Sequence, residues 1–263
     1  MFIDWIAFAE ARREAHQAVQ WLARAARANL PAAPDDSHTS LTWDAGRGAL
    51  LGQLLGDSLR LGVGIAGLEL FADEGDALPL AGLDDATAAE WIDALLARRG
   101  LQPASAVTLP YEVERASYGK TEPGALIHLA RWFSVADSAL EALRGRAGNL
   151  RPGPGPVRTW PHHFDMATLI ALEEGDPETA RSIGAGVSMG DGYYDQPYAY
   201  ISPWPRPDTA KLPTAPRPGH WHTRDFVSLV ASADDLLGAG AMDDVLGEFL
   251  AESCDVARSV LNR

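Results

Sequence analysis

Cysteine is almost missing from this chain. Cys254 stands alone among 263 residues, so no intrachain disulfide can form and no thiolate cage can hold a metal. Lysine is nearly as scarce: two lysines accompany twenty arginines, and the arginines gather in no basic stripe. The formal charge is −14, which opposes non-specific attraction to nucleic acid or to an anionic membrane. No stretch approaches the ~18 uninterrupted apolar residues of a spanning helix. The N-terminal "MFIDWIAFAEARREAHQ" lacks a basic start followed by an apolar core and instead interleaves Glu10, Arg12, Arg13 and Glu14. A cytoplasmic protein with neither nucleic-acid nor membrane partner is the expectation. Also absent are a GxGxxG after a strand, a GxxxxGK[ST] and a GxSxG, so dinucleotide, P-loop and serine-hydrolase chemistry have no motif support.

What is present is ordinary globular material, 46% hydrophobic and 22% charged, enough for one compact domain with a substantial core. The periodicity predicts a first helix over 5–29, stopped by "LPAAPDD". "SHTSLTWD" alternates like a strand, and "ALLGQLLG" and "LRLGVGIAGLELFAD" follow. In the last of these Leu59, Leu61, Val63 and Ile65 fall at period two. The glycines between them leave the other face bare enough for another layer or a ligand. A helix over 84–99 carries Thr87 and Glu90 at capping-box spacing and Gly100 at its end. A second, over 124–143, buries Leu126, Leu129, Trp132, Phe133, Ala136 and Leu140. The proline- and glycine-rich segment 145–157 interrupts regular structure and marks an internal division. Strand-like segments follow near 157–172, 182–201 and 221–231, and a last helix over 242–261 places Cys254 on its buried face. Strands outnumber the helices that could serve as crossovers. The fold class is therefore α+β, an antiparallel or mixed sheet with amphipathic helices packed on it. Each half runs strands first and a helix last, an order compatible with two similar halves, though no residue-level repeat exists.

Four of the seven histidines sit in two short stretches, "TWPHHFDMA" and "GHWHTRDF". On a strand His220 and His222 point the same way with Cβ atoms ~7 Å apart, and His163 and Asp165 have the same relation. If the two strands are neighbours, His163, Asp165, His220 and His222 form an N₃O set suited to zinc, iron, manganese or nickel. The metal-free alternative leaves these as polar residues at strand ends, with Asp165 capping a turn or pairing with Arg158, Arg181 or Arg224. A second candidate is "MGDGYYDQPYAYISPWP", where four of the six tyrosines crowd between 193 and 200. There Asp191, Tyr193, Tyr194, Asp195 and Trp204, with His162, are candidate contacts for a sugar or another flat polar ligand. The alternative is a loop leading into an edge strand whose tyrosines cover the sheet.

Two segments resemble those of an uncharacterised bacterial family, a domain of unknown function. "HHFDMA" is similar to its Phe-Asp-Leu-Ala motif. "GVSMGDGYYDQPYAYISPWP" is similar to its later signature, carried here by Ser188, Gly190, Tyr198, Tyr200, Pro203 and Pro205. The order of elements from about residue 80 to 205 is similar too. The family has no assigned activity, so the resemblance implies none. It also has small or polar residues where this chain has His162 and His163, which separates any metal chemistry from the family as a whole. Three classes of function stay open. One is metal-assisted hydrolysis or oxygen chemistry on a small molecule, another a metal-free small-molecule or sugar binding module, and the last a structural or partner-binding protein.

Overall fold

The computed structural model describes residues 3–73, 75–119, 121–176 and 178–262, and among them it has five α-helices and two antiparallel sheets. The strand excess in the sequence thus becomes an α+β fold. The chain divides into two compact units, residues 1–134 with 159–164, and residues 135–158 with 165–263. The chain passes between the units after residues 134, 158 and 164, the second of these just beyond the proline-rich segment 145–157.

In the first unit α1 (Trp5–Asn29) starts where the Asp4 carboxylate accepts from the Ile6 and Ala7 amides, at 2.9 and 3.2 Å. It stops at Leu30, because the residue before Pro31 is pushed out of the helical region. "SHT" is a single 3-10 turn, so the strand expected over 37–44 shrinks to β1 (Thr42–Asp44). A meander follows, β2 (Ala49–Leu55), β3 (Leu59–Gly64), β4 (Glu69–Ala72) and β5 (Ala77–Pro79), hydrogen-bonded in chain order. Leu59, Leu61 and Val63 are buried, as their period requires. The bare face of β3 is not left for a ligand. A Cβ on Gly62 would fall inside the Phe71 ring, which lies across it from β4. Helix α2 (Asp85–Arg98) is capped by Asp84, not Thr87. The Asp84 side chain accepts from the Thr87 amide at 2.9 Å and from its hydroxyl at 2.7 Å. Gly100, at φ +67°, closes its end.

Helix α3 (Pro123–Arg146) has proline at its first position, where the missing amide hydrogen costs nothing, and runs three residues past the expected end. Its Phe133 stacks on Trp43 with centroids 5.3 Å apart and meets Phe164 edge-on at 5.3 Å. No helix continues through 150–156, and Gly153–Pro154 form a two-residue strand, β6.

The second unit is built on a sheet whose path runs β11-β12-β10-β9-β8-β6, with β8 (Asp165–Ala171), β9 (Ser182–Ser188), β10 (Tyr198–Trp204), β11 (His220–His222) and β12 (Ser228–Ser232). The short strand β7 (Arg158–Trp160) precedes β8. The alternation of the strands gives the sheet two unlike faces. One carries Ile183, Ala185, Val187, Ile201, Leu229 and Ala231, all fully buried. Helix α5 (Met242–Leu261) covers this face. A Cβ on Gly219, beside Trp221, would collide with its Phe249 ring. Cys254 is buried on α5 as expected, whereas Val245, Val260 and Leu261 are only half-buried. A short helix, α4 (Ala233–Ala239), begins with a capping box between Ser232 and Asp235.

Candidate functional site

The other face of the second sheet carries the chemistry. Tyr198 and Tyr200 on β10 lie opposite Ser188 and Gly186 on β9, which in turn lie opposite Asp165 and Ala167 on β8. The Tyr200 ring crosses β9 over Gly186, where a Cβ would occupy the same space, and its hydroxyl donates to the Asp165 carboxylate. Asp165 is 8% exposed. Burial first, then the neighbouring negative charge, pushes the Tyr200 phenol well above its ordinary range, so it stays a proton donor. Tyr198 repeats the device one step along, donating to Asp191 at 2.7 Å, with burial again the largest reason for its raised pKa. The motif residues Asp165, Ser188, Gly190, Tyr198 and Tyr200 therefore form one cluster, in which the Ser188 hydroxyl also accepts from the Gly190 amide at 3.1 Å.

Asp191 organises the loop between β9 and β10. One carboxylate oxygen accepts from the amides of Tyr193 and Tyr194, at 2.8 and 3.1 Å, while the other takes the Tyr198 hydroxyl. Asp191 is thus a turn former with both oxygens occupied. Its turn aims Tyr194 at the edge strand β11, where the phenol oxygen lies 3.0 Å from His220 Nε2 and 2.9 Å from His222 Nδ1.

The direction of those bonds can be deduced for neutral imidazoles. His222 Nε2 lies 2.5 Å from the Arg224 carbonyl, which can only accept, so Nε2 carries the proton and Nδ1 is bare. Tyr194 then donates to His222 Nδ1 and accepts from His220 Nε2–H. His220 Nδ1 is left as an acceptor, on an exposed residue of the tyrosine-bearing face. Burial, then Asp191 and Asp235, raises the Tyr194 pKa and keeps it a phenol able to fill this role. His222 also stacks on Phe226 at 4.0 Å, and Tyr193, 45% exposed, meets both rings edge-on at 5.6 and 5.0 Å.

The structure does not bring the four expected metal ligands together. His220 and His222 share a face as expected, but β12, β10 and β9 stand between β11 and β8. Four strand spacings of about 4.8 Å put Asp165 roughly 19 Å from the histidine strand, beyond shared coordination. Among the described residues no three His, Cys, Asp or Glu side chains are grouped to hold an ion. His162 and His163, in the first unit, lie against each other with centroids 4.3 Å apart, and His162 is flanked by Tyr111 and Trp160. Burial, then His163, lowers the His162 pKa. Trp204 is equally remote from the tyrosine loop. It lies six residues beyond Tyr198, about 20 Å along the same strand, with its indole nitrogen donating to the Glu178 carbonyl. Asp195 is exposed in the loop. Strand β10 is central, not an edge, so the tyrosines face neighbours on both sides. Of Asp165's expected arginine partners, Arg181 is held by Glu173 at 2.8 Å and Arg224 pairs with Asp225 at 3.7 Å.

Beside β11 opens a cleft of about 930 Å³ lined by His220, Trp221, Arg217, Glu248 and Glu252 with the proline-rich stretch 213–218. The Trp221 indole donates to the Pro213 carbonyl at 2.8 Å and so anchors that stretch. Sequence reading passed over Arg217, Trp221, Phe226, Glu248 and Glu252. Only the prolines around 213–218 hinted that the chain is held extended there. No family model, curated protein or solved structure matches the chain.

Proposed function

We propose that the chain is a metal-free binding module for a small polyhydroxylated molecule of the sugar class, held in the cleft beside β11. The observation that carries this reading is the polarity of the groups that meet there. The carboxylates of Glu248 and Glu252 are acceptors, set with Trp221 on the α5 side of β11, whereas the His220 ring turns to the opposite, tyrosine-bearing face. A ligand rich in O–H donors with an apolar ring face matches that lining, and the cleft has the size of ordinary small-molecule sites. No reaction is assigned. The residues around Asp165 and Tyr200 act in this reading as the frame that positions the loop.

Titration of the purified chain with a panel of mono- and disaccharides, read by calorimetry and thermal shift, tests this. One class should bind saturably. Glu248→Gln and Glu252→Gln should each weaken it about tenfold or more, the scale of a lost charged hydrogen bond. Tyr194→Phe should leave it nearly unchanged, because Tyr194 and the imidazoles it holds lie on the other face of the sheet. Binding by no saccharide, or a requirement for added divalent metal, would overturn the proposal.

A further inference from the structure

Two imidazoles of β11 converge on one phenol oxygen. His220 Nε2 lies 3.0 Å and His222 Nδ1 2.9 Å from the Tyr194 hydroxyl. One imidazole is enough to anchor a phenol, so the second needs a reason of its own. All three groups belong to the tyrosine-bearing face of the sheet, opposite the face of Trp221 and the saccharide cleft.

The spacing suggests a shared centre. Two ligand atoms ~2.0–2.1 Å from one ion and at right angles to each other lie about 2.9 Å apart, whereas the tetrahedral angle separates them by about 3.3 Å. The separations of 2.9 and 3.0 Å are the right-angled ones. An ordinary hydrogen bond has this length too, so the orientation of the rings decides. His222 Nε2 donates to the Arg224 carbonyl, the outer partner that metal-ligating imidazoles keep, and this turns the bare Nδ1 toward Tyr194. His220 is exposed, so its Nδ1 can take a proton from water and leave Nε2 bare as well. Tyr194 is placed by the Asp191 turn, which holds its amide at 3.1 Å. The three positions therefore exist before any ion arrives.

The local charge favours a cation. Asp191 and Asp235 bring negative charge to bear on Tyr194. Arg224 opposes them, but its guanidinium lies 3.7 Å from the Asp225 carboxylate. Two imidazoles and a phenolate at right-angled spacing suit tetragonal copper(II) better than tetrahedral zinc, and copper(II) binds most tightly of the first-row divalent ions.

We propose that Tyr194, His220 and His222 form a copper(II) site, with water completing the coordination. Binding releases the Tyr194 proton to solvent, and the His220 proton moves from Nε2 to Nδ1. The saccharide cleft, on the other face, takes its ligand without this ion. Calorimetry and visible absorption of the untagged full chain titrated with copper(II) provide the test. One equivalent should bind saturably and give a phenolate-to-copper charge-transfer band. Tyr194→Phe should abolish the band. His220→Ala, at an exposed position, should weaken binding by at least the roughly 10–100-fold that loss of an outer partner costs. The His162–His163 pair of the first unit is the rival site, and replacing both by Gln should change neither band nor affinity. Copper should leave saccharide binding unchanged, so either reading can fail alone. The copper site is overturned if no equivalent binds saturably, if the band survives Tyr194→Phe, if zinc binds more tightly, or if the His162/His163 variant is the one that loses copper.

Discussion

Lowering the pH from 7 to 5 should destabilise the first unit through one histidine. His16 stacks on Phe164 with centroids 5.0 Å apart, and its Nε2–H donates to the Pro161 carbonyl at 2.8 Å. Burial, the largest cause, lowers its pKa from 6.5 to about 4, although the bond to Pro161 opposes the change. A base whose folded pKa is depressed binds its proton only in the unfolded chain between the two values. Stability is therefore full above pH 6.5, falls as the pH drops toward 4, and levels off below that. Each pH unit inside the window is worth about 1.4 kcal/mol. The step from pH 7 to pH 5 covers about one and a half such units, or roughly 2 kcal/mol. His16 is only half-buried as a residue, so this is an upper figure. Urea unfolding of the wild type and of His16→Gln at both pH values isolates the contribution, because the amide keeps a donor but cannot titrate. The wild type should lose up to about 2 kcal/mol more than the variant. Imidazole resonances give a direct check: a His16 midpoint at 6 or above would refute the reasoning.

Gly186→Ala should cost about 1–3 kcal/mol, since the new methyl falls inside the Tyr200 ring and must drive it from Asp165. Most of that cost should vanish in a Tyr200→Ala background, and a double-mutant cycle showing additive effects would contradict the picture. Cys254 is buried and its thiol is pushed up to about 11, burial being the main cause, so at pH 8 it should react with a disulfide reagent more than about 100-fold slower than a free thiol. Rapid labelling of the native protein would show that this face of α5 is not packed against the sheet.

The parts legible in the sequence were those decided by neighbours along the chain. Helix α5 occupies Met242–Leu261, the span its apolar period marks, because a 3.6-residue repeat defines a buried face before any partner is known. The α1 boundary at Leu30–Pro31 follows from proline sterics alone. His220 and His222 share a face because strand geometry alternates, and that too needs no third element. What the histidines face is another matter. Sheet order set three strands between them and Asp165, and no local pattern encodes order, since the connections from β10 and β12 look alike in sequence whichever neighbour they choose. The same holds for Gly186. A glycine on a strand reads as open space, and only the pairing of β9 with β10 discloses that Tyr200 already fills it. The buried amides of Gln17 and Gln20 interrupt an otherwise apolar helix face, and their role exists only because the segment carrying Tyr111 and Ala116 returns to α1 some ninety residues later. Periodicity reports which side of an element is buried. Long-range contacts decide which polar groups meet on it, because those contacts join residues that share no local rule.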